Sequence, residues 1–158
     1  MITLRDFVPA DAPALRAVFE SAIHEVASRD YMPLQVDTWA PRSHDAAAWA
    51  LKVADLKPFV AELDGVVAGY ADLQDSGYID HFYVAGCAGG RGVGGALMRR
   101  IIARAGQRAL AELTSNVSIT AQPFHAHFGF EVVAHRIVDV RGVEMRNAAM
   151  RLRLLPDR

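Results

Sequence analysis

The chain reads as a single α/β domain over residues 1–158, with helices on both faces of a β-sheet. Three observations lead there. Strand-period and helix-period segments follow one another with no linker, repeat or low-complexity tract between them. The segment Tyr78 to Leu97, YIDHFYVAGCAGGRGVGGAL, passes from a strand through a glycine-rich turn into a helix. A chain of 158 residues is also one ordinary domain, long enough to bury roughly two thirds of its unfolded surface.

The elements follow in order. Ile2 to Asp6 alternates as a short strand, and Asp11 is placed to cap a helix whose Leu15, Val18, Phe19, Ala22, Ile23 and Val26 keep helical spacing. Ser28 to Arg42 carries Pro33, Pro41 and two large aromatics, so it is irregular or only briefly helical. Asp45 opens a second amphipathic helix with Trp49, Val53 and Leu56 on one face. Phe59 to Leu63, the turn Asp64-Gly65 and Val66 to Leu73 form a hairpin, because Asp-Gly supplies the two positive φ angles that a tight hairpin turn requires. Asp75-Ser76-Gly77 turns the chain into a strand from Tyr78 to Val84. Beyond the glycine loop a helix runs from Val93 to Ala105 with Leu97, Ile101 and Ala105 inward. Leu113 to Val117 is a strand, Ala121 to Phe128 a short helix, and Val132 to Val140 with Val143 to Leu154 a final hairpin about Arg141-Gly142.

Glycines at 86, 89, 90, 92, 94 and 95 leave backbone N–H groups free to converge on an anion, and the helix starting near Val93 adds its dipole and unpaired first-turn donors to the same spot. A phosphate suits such a site. Counting excludes two common phosphate motifs. A Walker loop ends in Gly-Lys-Ser/Thr, whereas Gly94 is followed by Gly95 and Ala96. A dinucleotide fingerprint begun at Gly92 and Gly94 needs glycine at 97, where Leu97 stands.

The stretch Val84 to Leu97 resembles the acyl-CoA loop of the GNAT superfamily of N-acetyltransferases. Arg91-Gly92-Val93-Gly94 and Leu97 fit its Gln/Arg-x-x-Gly-x-Gly/Ala signature, with Gly89 standing where that family has Gln or Arg. Ala121 to Phe130, AQPFHAHFGF, is similar to the family's downstream Ala-x-x-Phe-Tyr-x-x-x-Gly-Phe stretch. The segment Ala27 to Pro41 resembles the small bacterial YafP-like branch. The resemblance implies a mixed, mostly antiparallel twisted sheet of about seven strands, splayed between the fourth and fifth. It implies acetyl-CoA as cosubstrate, the backbone of Phe82, Tyr83 and Val84 pairing with the pantetheine arm, and the amides of Gly89, Gly90, Arg91, Gly92, Val93, Gly94 and Gly95 holding the pyrophosphate. Ser118 stands at the family's asparagine position beside that arm, and Phe124 packs next to it.

The reaction implied is direct attack of a primary amine on the thioester in a ternary complex, which requires the amine to be neutral and therefore a base nearby. Asp80, four residues before the strand-ending valine, is the first candidate, with Asp72, Glu25 and His24 in reserve. An ordinary ion-paired acid is the competing reading. His125 replaces the tyrosine that protonates the leaving thiolate in the family, so it is either a general acid or a histidine facing solvent beside the cofactor. Asp30 is a candidate cation contact for the acceptor. Tyr31 and Trp39 either wall the acceptor pocket or close the core around a loop. Two other functions stay open: a non-catalytic acyl-CoA sensor, and an interaction module whose loop holds nothing.

Net charge of −1 argues against a large field for nucleic acid or anionic membrane, which leaves a small-molecule amine as the expected acceptor. The single cysteine, Cys87, excludes an internal disulfide. With neither a secretory leader at the first residues nor an apolar run of spanning length, the expected location is cytoplasmic. His125 and His127 diverge on their helix, so no metal is expected. A homodimer through the final hairpin or an edge strand is expected, because Val143 to Leu154 is long and apolar.

Overall fold

The computed structural model describes residues 1–155. Strand β1 (Ile2–Asp6) pairs antiparallel with β2 (Phe59–Leu63), β2 with β3 (Val66–Ala71), and β3 with β5 (Phe82–Val84). A second four-stranded sheet takes the order β4 (Tyr78–Ile79), β6 (Glu112–Ser118), β8 (Val143–Arg153), β7 (Glu131–Val140). Its β4–β6 pairing is parallel and the other two are antiparallel. The Asp64-Gly65 turn has the expected chemistry, with φ of 52° and 82°, and the final hairpin turns in the same way, with φ of 48° and 85° at Arg141 and Gly142.

The period-two alternation of the first sheet feeds two cores. Val60 and Tyr70 face one cluster with Leu15, Val18 and Phe19 of helix α1 (Ala12–Ser21) and Val53 of α3 (Ala46–Leu56). Phe59, Ala61 and Ala71 face the other, with Leu97, Met98 and Ile101 of α4 (Val93–Gln107). Helices thus cover both faces. Helix α4 sits close to β3 because the residue beneath its first turn is Gly69: a Cβ there would lie 2.9 Å from Val93 Cγ1 and 3.2 Å from Leu97 Cδ1.

Four expectations are corrected. The strand anticipated from Tyr78 to Val84 is two strands, because Asp80 and His81 both donate their backbone N–H to Asp72 Oδ1, at 2.9 and 2.7 Å. Two consecutive N–H groups on one acceptor break the alternation. The expected splay follows from that break. β4 stays with β6, while β5 turns away to β3 and leaves its other edge open. Second, Asp11 does not cap α1; its carboxylate accepts from both terminal guanidinium nitrogens of Arg5 and from the Val8 N–H, each at 2.8 Å. Third, the first helix ends in a π-helical turn, Ala22–Val26, before α2 (Pro33–Trp39). Fourth, β8 lies inside its sheet, so the free edge of the final hairpin is β7. Asp45 caps α3 as anticipated, its Oδ1 accepting from Ala48 N at 3.0 Å. Among the described residues no helix is long and apolar enough to cross a membrane.

Candidate active site

A cavity of about 440 Å³ opens between β5, the first turn of α4, the π-helical turn and α5 (Gln122–His127). No charged side chain lines it among the described residues, so any anion it takes rests on backbone donors. The loop is more selective than its composition suggested. The Gly89 N–H is spent on Gly86 O at 3.2 Å and the Arg91 N–H on Ala88 O at 3.3 Å. The Arg91 guanidinium turns away to Asp64, at 3.8 Å. What remains is the N–H of Gly90 and Gly92 and the first helical turn, Val93, Gly94 and Gly95, which have no carbonyl four residues back. Gly92 holds φ at +89° as the residue before the helix, a conformation that aims those donors and that side-chain-bearing residues resist. The Val93 side chain is buried in the core. Gly94 abuts α5, where a Cβ would lie 3.3 Å from the Phe124 ring.

The open edge of β5 has a definite register. Asp72 N donates to His81 O and Ala85 N donates to Ala68 O, so residues 81, 83 and 85 turn their polar groups to β3. The N–H and C=O of Phe82 and Val84 therefore point into the gap. Of the three residues expected to pair with a pantetheine-like arm, these two have free backbone groups and Tyr83 does not.

A smaller cavity of about 170 Å³ adjoins the first across Trp39, Tyr83 and Ser118, which line both. Asp80 is on its wall, with Tyr78 and Tyr83 rather than with Phe82 and Val84, because the strand break rotates its side chain off the expected face. Asp80 Oδ2 accepts from Lys52 Nζ at 2.8 Å. It is therefore both a cavity acid and one half of an ion pair. Tyr31 combines a cavity wall with a structural link. Its ring walls the cavity, while its hydroxyl donates to Arg146 O at 2.5 Å and accepts from Ile119 N at 3.0 Å. Trp39 stands edge-on to Tyr31 and Tyr83. Asp30 lines neither cavity; it accepts from Thr120 Oγ1 at 2.8 Å, so the cation contact expected of it is not made there. Of the reserve bases, Asp72 is fully buried, and burial holds its carboxyl above the usual range. His24 is bonded to Ala40 O at 2.7 Å, and Glu25 accepts from Ser21 Oγ.

His125 does not face solvent, being 3 % exposed. Its Nδ1 lies 3.0 Å from Ala121 O and must carry the proton, because a carbonyl only accepts. Burial lowers its pKa and keeps the ring neutral, so Nε2 is a bare acceptor, and it has no partner. A neutral ring of this tautomer has no proton at Nε2 to give, which corrects the general-acid expectation. Ser118 Oγ accepts from Ala121 N at 3.2 Å, bracing the turn before α5. Sequence reading missed His81. It packs among Phe19, Trp49, Tyr70 and Tyr83, with Nδ1 3.0 Å from Tyr70 Oη, and burial pushes it down to about 4. The available signal was a histidine adjoining the candidate acid inside an aromatic strand.

Comparison with known proteins places this geometry. Residues 27–153 match the family model described as an acetyltransferase (GNAT) domain. The chain is 33 % identical over 150 residues to an uncharacterized N-acetyltransferase, YafP, of Escherichia coli (strain K12), covering 95 % of each. A GCN5-related N-acetyltransferase structure from Rhodopseudomonas palustris, also described as an aminotransferase of class II, superposes with a TM-score of 0.91 at 31 % identity over 96 % of this chain and 95 % of that one. The putative acetyltransferase yncA of Salmonella typhimurium, solved with its cofactor acetyl-CoA, shares the fold at a TM-score of 0.71 and 22 % identity, over 100 % of this chain and 96 % of that one. These matches show that the chain belongs to the GNAT acetyltransferase family and is an acyltransferase.

Proposed function

We propose that the chain transfers an acetyl group from acetyl-CoA to a primary amine of a small acceptor, by direct attack in a ternary complex. One observation carries this reading: a cleft ending in free backbone amides meets, across Trp39, Tyr83 and Ser118, a second cavity that holds an acid. The residues fit the cosubstrate. Amides of Gly90, Gly92, Val93, Gly94 and Gly95 take the pyrophosphate, and the unpaired backbone of Phe82 and Val84 takes the amide-bearing arm. Acetyl-CoA supplies a thioester whose C–S bond breaks as the N–C bond forms, the sulfur leaving with the electron pair. Asp80 accepts the proton lost by the amine, directly or through water. Lys52 holds that carboxylate against the cavity and competes with the acceptor ammonium for it. The thiolate takes its proton from solvent, because His125 holds none at Nε2.

Two measurements test this. Acetyl-CoA at a hundred times its dissociation constant should stabilise the fold by roughly 2.7 kcal/mol in a thermal-shift titration, and absence of a shift removes the cleft assignment. Asp80→Asn should keep acetyl-CoA affinity while lowering turnover by roughly a hundredfold, with partial rescue at high pH where amines are neutral unaided. Near wild-type turnover would exclude Asp80 as the base.

A further inference from the structure

Two parts of the larger cleft's lining are tied together by side chains that the acetyl-transfer reading leaves unused. The π-helical turn contributes Ala22, Ile23 and Val26 to that lining, and the loop contributes Gly89, Gly90 and Gly92. Ser21 stands just before the π-helical turn, and its Oγ accepts from the Gly86 N–H at 2.9 Å, across 65 residues of chain. The same hydroxyl donates to Oε2 of Glu25, four residues further on. A serine inside a helix can return its proton to a carbonyl of the preceding turn. Here Glu25 takes that proton, which leaves an oxygen lone pair for Gly86.

The same contact accounts for Gly86. Its φ is not positive, so its backbone conformation does not call for glycine. A Cβ there would instead lie 3.1 Å from Glu25 Cβ and 3.4 Å from the Glu25 carboxylate carbon and Oε2, so glycine is what lets the loop approach the π-helical turn this closely. From Gly86 the bonding runs on along the loop. The Gly86 carbonyl accepts from Gly89 N–H at 3.2 Å and the Ala88 carbonyl from Arg91 N–H at 3.3 Å. Those two bonds bracket Gly90 and end beside Gly92, the first two free donors of the cleft. Neither Ser21 nor Glu25 lines the cleft, so any effect they have on a ligand passes through the loop.

We infer that Ser21 and Glu25 are positioning residues for the cosubstrate: Glu25 orients the Ser21 hydroxyl, and that hydroxyl holds the loop where Gly90 and Gly92 reach the pyrophosphate. This inference rests on the reading of those amides as the pyrophosphate site. The test titrates coenzyme A calorimetrically into the wild type, into Glu25→Gln and Glu25→Ala, and into the same two changes combined with Ser21→Ala. Both changes at position 25 remove one negative charge, so its effect on a phosphate ligand cancels between them, but only glutamine keeps an oxygen for the hydroxyl proton. Glu25→Gln should bind coenzyme A about fivefold more tightly than Glu25→Ala, the weight of one ordinary hydrogen bond, and the difference should vanish alongside Ser21→Ala. A side chain that merely packed against the loop would keep its effect with the serine hydroxyl gone. Equal affinity of the two single variants, or a difference that survives Ser21→Ala, overturns the inference. A cooperative melt of each unliganded variant reports that it is folded; Glu25 is exposed, so the comparison at position 25 stands by itself should Ser21→Ala fail to fold. Failure of the wild type to bind coenzyme A overturns the underlying reading instead.

Discussion

Asp72 decides where Asp80 sits. Its buried carboxylate takes the two N–H groups that would otherwise continue one straight strand, so Asp72→Ala leaves two donors unsatisfied at about 1–3 kcal/mol each. Turnover should fall with stability, while acetyl-CoA affinity changes little; melting curves and calorimetry separate the two. Neither that role nor the burial was legible in the sequence, because an aspartate at a strand end looks the same whether solvent or a neighbouring backbone satisfies it. His81 leads to a second expectation. The unfolded chain protonates a histidine near pH 6.5 and the folded one only near 4, so acid favours the unfolded state through that window. His125, also lowered, acts in the same direction. Asp72, raised, opposes them just above the ordinary carboxylate value, where acid favours the fold. Tm should therefore drop between roughly pH 7.5 and pH 5, and His81→Gln should flatten that slope.

The elements were more readable than the junctions between them. Strands and helices announce themselves by local period, and every hairpin turn and the start of α4 stood where its own residues required. The split between β4 and β5 did not, since it is imposed by a carboxylate from another strand. The π-helical turn lining the cleft left no trace in the apolar spacing either. Where glycine sets a close approach, the element itself can be tested. Gly94→Val would press on the Phe124 ring and on Val84, which a Cβ alone would already approach to 3.3 and 3.7 Å. Acetyl-CoA affinity should fall at least tenfold in a protein whose circular dichroism is unchanged, and undiminished affinity would remove Gly94 from the site.

At the scale of the molecule, β7 ends its sheet with Val132, Val133 and Ile137 exposed, at 43, 56 and 63 %. A long unpaired edge with apolar side chains is a surface that pairs with another copy. We therefore expect a homodimer through β7, to be dissociated by Val133→Lys and measured by sedimentation; a monomeric wild type would reject it. The fold as a whole was legible because the glycine loop and the downstream phenylalanine motif each tie a local sequence to a family architecture. The acceptor side was not, because its walls come from Asp80, Asn116, Val138 and Arg146, brought together by pairings that no local pattern encodes.

The Tyr31 hydroxyl has a kinetic consequence. One oxygen spans the Arg146 carbonyl on β8 and the Ile119 N–H in the segment that leads from Ser118 to α5. Ser118, Thr120 and Ala121 of that segment line the cleft, so a cosubstrate seated there would bear on it, and the tyrosine would pass the constraint to β8. Binding is expected to be compulsory in order, cosubstrate before acceptor, with initial-rate and dead-end inhibition patterns to match. Tyr31→Phe, which cuts the link while keeping the ring, should relax the order toward random addition.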